Sequence, residues 1–184
     1  MGFLLRLKHW QIFLITWGIP LGINALTFSK PALMVKLFPV MMLLFIVGIF
    51  GWIWAISTQL HKRLPAEANL NIKGFKIVFS IPILYMLAIT AWMIYRFYFR
   101  FPEGEPGVRS IIMVVAIVHF ISMVCILMGL RFAAQTLRTV ELGRRARFSE
   151  YSIEFFLIWF SPLGFWILQP RLNKLAEKLR NRSN

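Results

Sequence analysis

Aspartate is absent from this sequence, cysteine occurs once and histidine three times. A Ser-His-Asp triad needs the missing carboxylate, so hydrolysis by that arrangement is excluded in its standard form. His9, His61 and His119 lie on different segments without the spacing of a metal site, so no metal is expected. Cys125 has no partner for an intrachain disulfide. The glycine-rich fingerprints of nucleotide sites are also missing. We therefore expect no cofactor and favour a non-enzymatic protein.

Negative charge is scarce as well, because 7 acidic residues stand against 21 Lys and Arg, giving a net charge of +14. In a soluble protein this balance would first suggest nucleic acid binding. Here the cations flank long apolar runs, where they sit beside lipid headgroups. No nucleic-acid-binding module is recognisable. The charge therefore predicts contact with a lipid bilayer and its anionic lipids, and no nucleic acid partner.

Apolar residues make up 59% of the chain, whereas a soluble domain averages about 45–50%. A helix that crosses about 30 Å of hydrocarbon needs about 20 apolar residues. Four runs approach that length, and a fifth has fourteen residues with Pro162 and Gly164 in its middle. The runs are 10–28, 37–59, 77–95, 110–130 and 155–168. The sequence predicts an all-α polytopic integral membrane protein with a single membrane domain, 1–184.

Positive charge distinguishes two topologies. If all five runs cross, the cations divide almost equally, eleven against ten. If the fifth segment, 153–169, enters the bilayer and returns, sixteen cations share a side with the N-terminus and five lie opposite. Cytoplasmic loops carry an excess of Lys and Arg. This rule favours four transmembrane helices, a broken re-entrant or short fifth segment, and both termini on the cytoplasmic side of the cell membrane. Residues 96–109 then form an external loop.

The basic tail, 170–184, has the pattern of an amphipathic helix. Its apolar side chains share one helical face, and its cations lie largely around the rest. Those apolar residues are Leu172, Leu175, Ala176 and Leu179. A helix of this kind is expected to lie on the membrane surface, where each cation is attracted to anionic lipid.

The fourth helix is expected to continue past Leu130 into the cytoplasm. Gly143 is a plausible stop, because glycine readily adopts the left-handed conformation that ends helices. Glu141 and Arg145 stand at i,i+4 spacing and are expected to pair. Ser149 is the predicted N-cap of the helix that follows.

Arg144, Arg145 and Arg147 form a basic group just before the fifth segment. Arginines at a membrane surface can hold lipid phosphate through bidentate hydrogen bonds, and Glu150 and Glu154 could act as acid or base. The alternative is a cytoplasmic anchor followed by glutamates at a helix N-terminus. That second interpretation is the simpler one.

His119, Ser122 and Cys125 recur at i, i+3 and i+6 on the fourth helix. An ionisable residue inside a membrane is a functional hypothesis by default, because its charged form is costly there. No intramembrane carboxylate accompanies His119 for a proton relay. We therefore expect a packing histidine that is hydrogen-bonded to a neighbouring helix.

Two stretches, FAAQTLRTVELGRRARFSEY from Phe132 and EFFLIWFSPLGFWILQPRLNKL from Glu154, resemble the C-terminal part of small multi-pass bacterial membrane proteins of unknown function. The resemblance covers the last third of the chain. It rests on Glu154, Phe155, Phe156, Trp159, Phe160, Pro162, Gly164, Trp166, Gln169, Pro170 and Asn173. It implies no activity or catalytic residue. It does imply that the fifth segment is the functional element, with Glu154, Pro162, Gly164, Gln169 and Pro170 as its candidate residues.

Three functions remain open at this point. The first is a non-enzymatic accessory or assembly subunit of a bacterial membrane complex with a membrane protein partner. Short loops support it, as do small residues at helix-contact spacing, Gly18/Gly22 and Gly48/Gly51. The second is a small transporter or channel-like protein, because the interrupted first run is typical of broken transporter helices. The third is a lipid-phosphate enzyme that uses residues 144–154.

Overall fold

A computed structural model of the chain describes residues 3–99 and 108–181. Every regular element within those two ranges is helical. The described residues contain three helices long and apolar enough to cross a membrane, Pro31–His61, Ile72–Tyr95 and Met113–Leu142. The prediction of an all-α protein with apolar helices of membrane-spanning length is therefore confirmed.

Six helices are numbered here along the described part of the chain. They are α1 (9–27), α2 (Pro31–His61), α3 (Ile72–Phe99), α4 (Val108–Leu142), α5 (Phe148–Trp159) and α6 (Ser161–Asn181). Short 3₁₀ turns, Phe3–Leu5 and Ala66–Ala68, precede α1 and α3. Residues 100–107 of the predicted external loop and 182–184 of the predicted tail lie outside the described residues.

Helix α1 contains the first predicted run but is not among the three helices of spanning length and hydropathy. Its α-helical pattern is interrupted by a π-helical turn, Leu14–Gly18. Pro20 provides the physical reason, because its ring would clash with the carbonyl of Thr16 four residues earlier and has no N–H to bond it. The predicted interruption is therefore a local widening of a continuous helix.

Helices α1 and α2 cross closely at two wide turns. A second π-helical turn, Ile46–Phe50, lies in α2. Within it, a Cβ on Gly48 would overlap the side chain of Thr16 in α1. Gly22, by contrast, has nothing within 4 Å of the place where its Cβ would stand. Of these two small residues, Gly48 therefore marks a helix contact and Gly22 does not.

The hydrophobic core lies where α2, α4, α5 and α6 converge with the first turns of α3. Ala133 and Ala134 are fully buried on α4, and their small side chains let the neighbouring helices approach. The largest fully buried side chains around them are Trp52, Phe79, Tyr151 and Phe165. The other part of α4 is different, because it exposes apolar side chains from Met113 to Met128. The protein is thus well packed near the C-terminal half of α4 and open along the rest of that helix.

Helices α5 and α6 form a hairpin that turns at Phe160. The nitrogen of Gly164 donates to the carbonyl of Phe160 at 2.9 Å, which begins α6 directly after the turn. Gly164 also lies directly against the carbonyl oxygen of Leu157, which a Cβ would overlap. The two arms meet again where Arg171 contacts Glu154. The chain therefore reverses direction within the predicted fifth segment.

Helix α6 corrects the predicted division between the fifth segment, 153–169, and the tail, 170–184. These are not separate elements, since one helix runs from Ser161 to Asn181. Pro162 does not break it, because the second residue of a helix has no intrahelical partner for its N–H. The apolar face of the tail packs against protein, with Leu172 buried and Leu175 packed against the core.

The end of α4 matches the prediction, and the start of α5 does not. Helix α4 continues to Leu142 and ends at Gly143, which has a φ of +69°. Helix α5 begins at Phe148 after Arg147, so the predicted N-cap at Ser149 is wrong. The nitrogen of Arg147 donates instead to a Glu150 carboxylate oxygen at 2.8 Å.

Candidate functional site

An ionic cluster joins the end of α4 to both arms of the hairpin. Arg171 donates from Nε to Oε1 of Glu141 at 2.9 Å and from Nη2 to Oε2 at 2.6 Å, which is the bidentate fork of arginine and carboxylate. The same Nη2 donates to Oε1 of Glu154 at 2.8 Å. Arg138 adds a contact from Nη1 to Oε2 of Glu141 at 3.1 Å. These four residues, Arg138, Glu141, Glu154 and Arg171, are hereafter the ionic cluster.

Burial makes Glu154 the most constrained member of the ionic cluster. Its side chain is 5% exposed, whereas that of Arg171 is 34% exposed. Its second oxygen, Oε2, is buried without a hydrogen-bond partner, as is Nε of Arg138. A buried carboxylate is tolerated only when a cation and hydrogen bonds offset its lost hydration. Arg171 therefore determines whether Glu154 can remain buried and charged.

Gln169 forms a second buried junction, two residues before Arg171. Its Oε1 accepts from Nε1 of Trp52 in α2 at 2.7 Å. Its Nε2 donates to the carbonyl of Leu7 at 2.8 Å and to Oδ1 of Asn173 at 3.1 Å. The side chain is fully buried. Gln169 therefore ties α6 to α2 and to the segment that precedes α1.

Further contacts align α6 with α1 in the antiparallel direction. Nε1 of Trp17 donates to Oγ of Ser161 at 3.2 Å, at the start of α6. The rings of His9 and Trp166 lie 4.6 Å apart. Because Gln169 then reaches Leu7, α6 runs along α1 toward the N-terminus.

The short loop between α4 and α5 is fixed to α4 by its backbone. The nitrogen of Ala146 donates to Oγ1 of Thr139 at 3.1 Å, and its carbonyl accepts from Nε2 of Gln135 at 3.0 Å. Nε of Arg131 donates to the hydroxyl of Tyr151 at 3.1 Å. The loop therefore folds back along α4 and sets the position of the hairpin.

The three arginines predicted to contact lipid phosphate diverge in the structure. Arg144 forms an ion pair with Glu150 through both Nη atoms, one of them 3.1 Å from Oε2. Hydrogen bonds from Arg144 and then from the backbone of Arg147 lower the pKa of the Glu150 carboxyl to about 2. Arg145 instead lines a cavity beside α3. Arg144 and Arg145 therefore have different surroundings, and the predicted contacts with lipid phosphate stay a prediction.

The predicted residues of the fifth segment take different places on the hairpin. Glu154 belongs to the ionic cluster, Gln169 forms the buried junction, and Gly164 is at the turn. Pro162 lies in the first turn of α6, and Pro170 is half-buried within the same helix. Glu154 contacts Arg171, which lies two residues after Gln169 on α6. Pro162 and Pro170 have no polar side-chain group and affect only the backbone of α6.

Two members of the ionic cluster were assigned differently from sequence. Glu141 was predicted to pair with Arg145 and pairs with Arg171 and Arg138. Arg171 was predicted to lie on the lipid surface with the tail. Residues 141 and 171 are brought together only by the hairpin, so no local spacing reveals the pair. The readable signal is the buried face of α6, with Phe165, Leu168 and Leu172 at helical spacing.

Comparisons with protein-family models, curated proteins and solved structures give no match to this chain. The resemblance to small multi-pass bacterial membrane proteins therefore remains an expectation from sequence. Within residues 3–99 and 108–181, no group of three or more His, Cys, Asp or Glu side chains could hold a metal ion. The site consists of ion pairs between two glutamates and two arginines, and these pairs hold the hairpin against α4.

Proposed function

We propose that this protein is a non-enzymatic accessory or assembly subunit of a bacterial membrane complex, and that the middle of α4 contacts a helix of a partner membrane protein. His119 carries the proposal. Its side chain is exposed, as are the apolar residues one helical turn before and after it, Ala116 and Met123, and its neighbour Phe120. A polar, ionisable ring thus lies on an otherwise apolar surface.

The surroundings of His119 favour a protein partner over lipid at this position. The expected hydrogen bond to a neighbouring helix is present, since Nδ1 lies 3.4 Å from the hydroxyl of Tyr85 on α3, but the ring is exposed and not packed as predicted. Ionisable side chains within transmembrane segments face other protein or water, because hydrocarbon offers no hydrogen bond. A partner helix with a polar group opposite Nε2 would satisfy the other ring nitrogen. Lipid tails would not.

Low burial of the long helices is consistent with this function. In the most apolar 18-residue stretches of α2, α3 and α4, only 28%, 17% and 22% of the stretch is buried inside the protein. Apolar faces alone are compatible with lipid, so their exposure does not identify a partner. The exposed His119 is the feature that distinguishes a partner from lipid.

The proposal includes four transmembrane helices, α1 to α4, and a hairpin that enters the bilayer and returns. Arg171, about midway along α6, meets Glu141 at the end of α4, so α6 returns to the end of α4 from which the chain leads into α5. The turn lies beside Trp17, eight residues into α1, which is about 12 Å along a helix. A shallow re-entrant hairpin has these dimensions.

Exposed residues of α6 change character along its length. Leu163, Trp166 and Ile167 are each more than half exposed and apolar, whereas Lys174, Glu177 and Lys178 are exposed and charged. This change supports an entry into hydrocarbon near the turn and an exit toward water after Ile167. Together with the sixteen-to-five division of cations, it supports a topology with both termini on the cytoplasmic side of the cell membrane.

Photocrosslinking in native membranes tests the partner surface. Benzoylphenylalanine at Phe120 is expected to give one protein adduct of defined mass. His119→Leu should lower the adduct yield about tenfold, since an interhelical polar contact contributes about 1–2 kcal/mol. Met123→Leu is the matched control, because Met123 is also exposed on α4 and apolar, and the yield should not change.

Two results would contradict the subunit function. One is the absence of a protein adduct at Phe120 in membranes where the chain is present at its natural level. The other is an adduct of two copies of this chain, which would indicate self-association. Circular dichroism of purified His119→Leu should match the parent protein, so that a lost adduct reflects a lost contact.

The other two functions are less well supported by the described residues. A cavity of about 260 Å³ lies between α1 and α2, but its lining is apolar apart from Thr16, Asn24 and the indole of Trp17. A transporter path for a polar substrate would need more polar groups there. For a lipid-phosphate enzyme, Glu150 and Glu154 are both engaged by arginines.

A further inference from the structure

A second cavity, of about 350 Å³, opens between α3, α4 and the loop that precedes α3. Its lining divides into two parts. Polar groups come from Asn69, Asn71, Gln135 and Arg145, and apolar groups come mainly from Phe75, Val78, Met128 and Phe132. A cavity with a polar end and an apolar end fits an amphiphilic molecule.

Arg145 provides a cation at the polar end. Its side chain is exposed, and within residues 3–99 and 108–181 it forms no ion pair, whereas Arg144 beside it is neutralised by Glu150. A guanidinium has five N–H donors and suits phosphate oxygens. The guanidinium of Arg145 can therefore bind an anion at the polar end of the cavity.

Helix α3 begins at the same end of the cavity. Oδ1 of Asn71 accepts from the nitrogen of Gly74 at 2.9 Å, which leaves the amide Nδ2 of Asn71 as a donor. Lys73 and Lys76 are exposed in the first turns of α3. The positive end of the helix dipole adds to these cations. Arg145 is the charged side chain of the lining itself, and no carboxylate belongs to the described residues that line the cavity.

The apolar end continues into the seam between α3 and α4. Gly129 lines this end, and a Cβ on Gly129 would overlap the ring of the buried Phe79. Met128 is 53% exposed beside it. The exposed residues next along α4, Met123, Val124 and Leu127, are apolar, so the seam opens toward the proposed hydrocarbon layer. An acyl chain can follow this apolar stretch.

We propose that this cavity binds one anionic phospholipid, with its phosphate at Arg145 and an acyl chain along Val78 and Met128. Charge complementarity selects the anionic headgroup, and the apolar seam selects a lipid over a soluble phosphate compound. The site is separate from the His119 surface, so it does not depend on the proposed partner.

Native mass spectrometry of the full chain tests the site. The protein is released from detergent in the presence of phosphatidylglycerol or phosphatidylcholine. The parent protein should retain one phosphatidylglycerol, and Arg145→Gln should bind it at least about tenfold more weakly, because a charge-assisted hydrogen bond is lost. Arg147→Gln is the matched control, since Arg147 is exposed in the same loop but does not line the cavity. It should retain the lipid.

A second variant tests the acyl-chain part of the site. Met128→Trp should fill the seam and reduce phosphatidylglycerol binding with the charge unchanged. Equal retention of phosphatidylcholine, or an equal loss in Arg147→Gln and Arg145→Gln, would contradict a specific site. Binding of glycerol phosphate as tight as that of the whole lipid would contradict the acyl chain. A partner adduct at Phe120 can persist in every one of these cases.

Discussion

Replacing Gly164 with alanine is expected to destabilise the protein by about 3 kcal/mol, the upper part of the range for overpacking a filled site. The new Cβ would overlap the carbonyl oxygen of Leu157. That oxygen belongs to the backbone of α5, so it cannot rotate away as a side chain would. The hairpin must open for the methyl group to fit, which also disturbs the contact of Trp17 with Ser161. Thermal unfolding in detergent, followed by circular dichroism, measures the change.

Gly22→Ala is the matched control for this substitution. Gly22 lies inside α1 and has nothing within 4 Å of its Cβ position. Alanine favours a helix over glycine by up to about 1 kcal/mol, so Tm should stay constant or rise slightly. Equal loss of stability in both variants would show that the methyl group at 164 meets no special obstacle. The described geometry of the turn would then be wrong.

Replacing Arg171 with glutamine is expected to cost about 3 kcal/mol, the lower end of the range for removing one partner of a buried ion pair, because Glu154 is buried while Arg171 is one third exposed to solvent. Arg171 makes the bidentate contact to Glu141 and the contact to the buried Glu154. Without it, Glu154 would be buried with its Oε2 already unpartnered. The free energy of unfolding in detergent, from titration with denaturing surfactant, measures the loss.

The charge of Glu154 provides an internal test of this explanation. Glu154→Gln in the Arg171→Gln protein should restore part of the lost stability, because the uncompensated buried charge is removed. Lys178→Gln is the control, since Lys178 is exposed on the same helix and should change stability by no more than about 0.5 kcal/mol. If Arg171→Gln behaved like the Lys178 variant, the ionic cluster would not stabilise the hairpin.

The length of the apolar runs predicted the long helices, because about 20 consecutive apolar residues are what a helix needs to cross the hydrocarbon layer. The three long helices contain the predicted runs 37–59 and 77–95 and most of 110–130. The end of α4 at Gly143 was also predictable from the local sequence, because glycine adopts a positive φ more readily than other residues. The four-span count and the re-entrant path stay predictions.

Contacts between distant segments account for what sequence did not reveal. Pro162 suggested a bend at Ser161, and the chain does break close by, at Phe160, but Pro162 itself lies in the first turn of the helix that follows. The tail was predicted as an independent surface helix because its amphipathic pattern cannot distinguish lipid from protein. The buried Leu172 shows that the apolar face of the tail packs into the protein core. Arg171 and Glu141 meet only after the hairpin forms.

Cysteine accessibility tests the central claim, that the hairpin enters the membrane and returns to the side of its start. Single cysteines at Ser149, Lys178 and Ser29 are placed in a Cys125→Ala background, and all three positions are exposed. A membrane-impermeant maleimide should label Ser149→Cys and Lys178→Cys only in inverted vesicles. It should label Ser29→Cys, in the turn between α1 and α2, only in intact cells. Labelling of Lys178→Cys in intact cells would contradict the account, because the chain would then cross the membrane at the fifth segment.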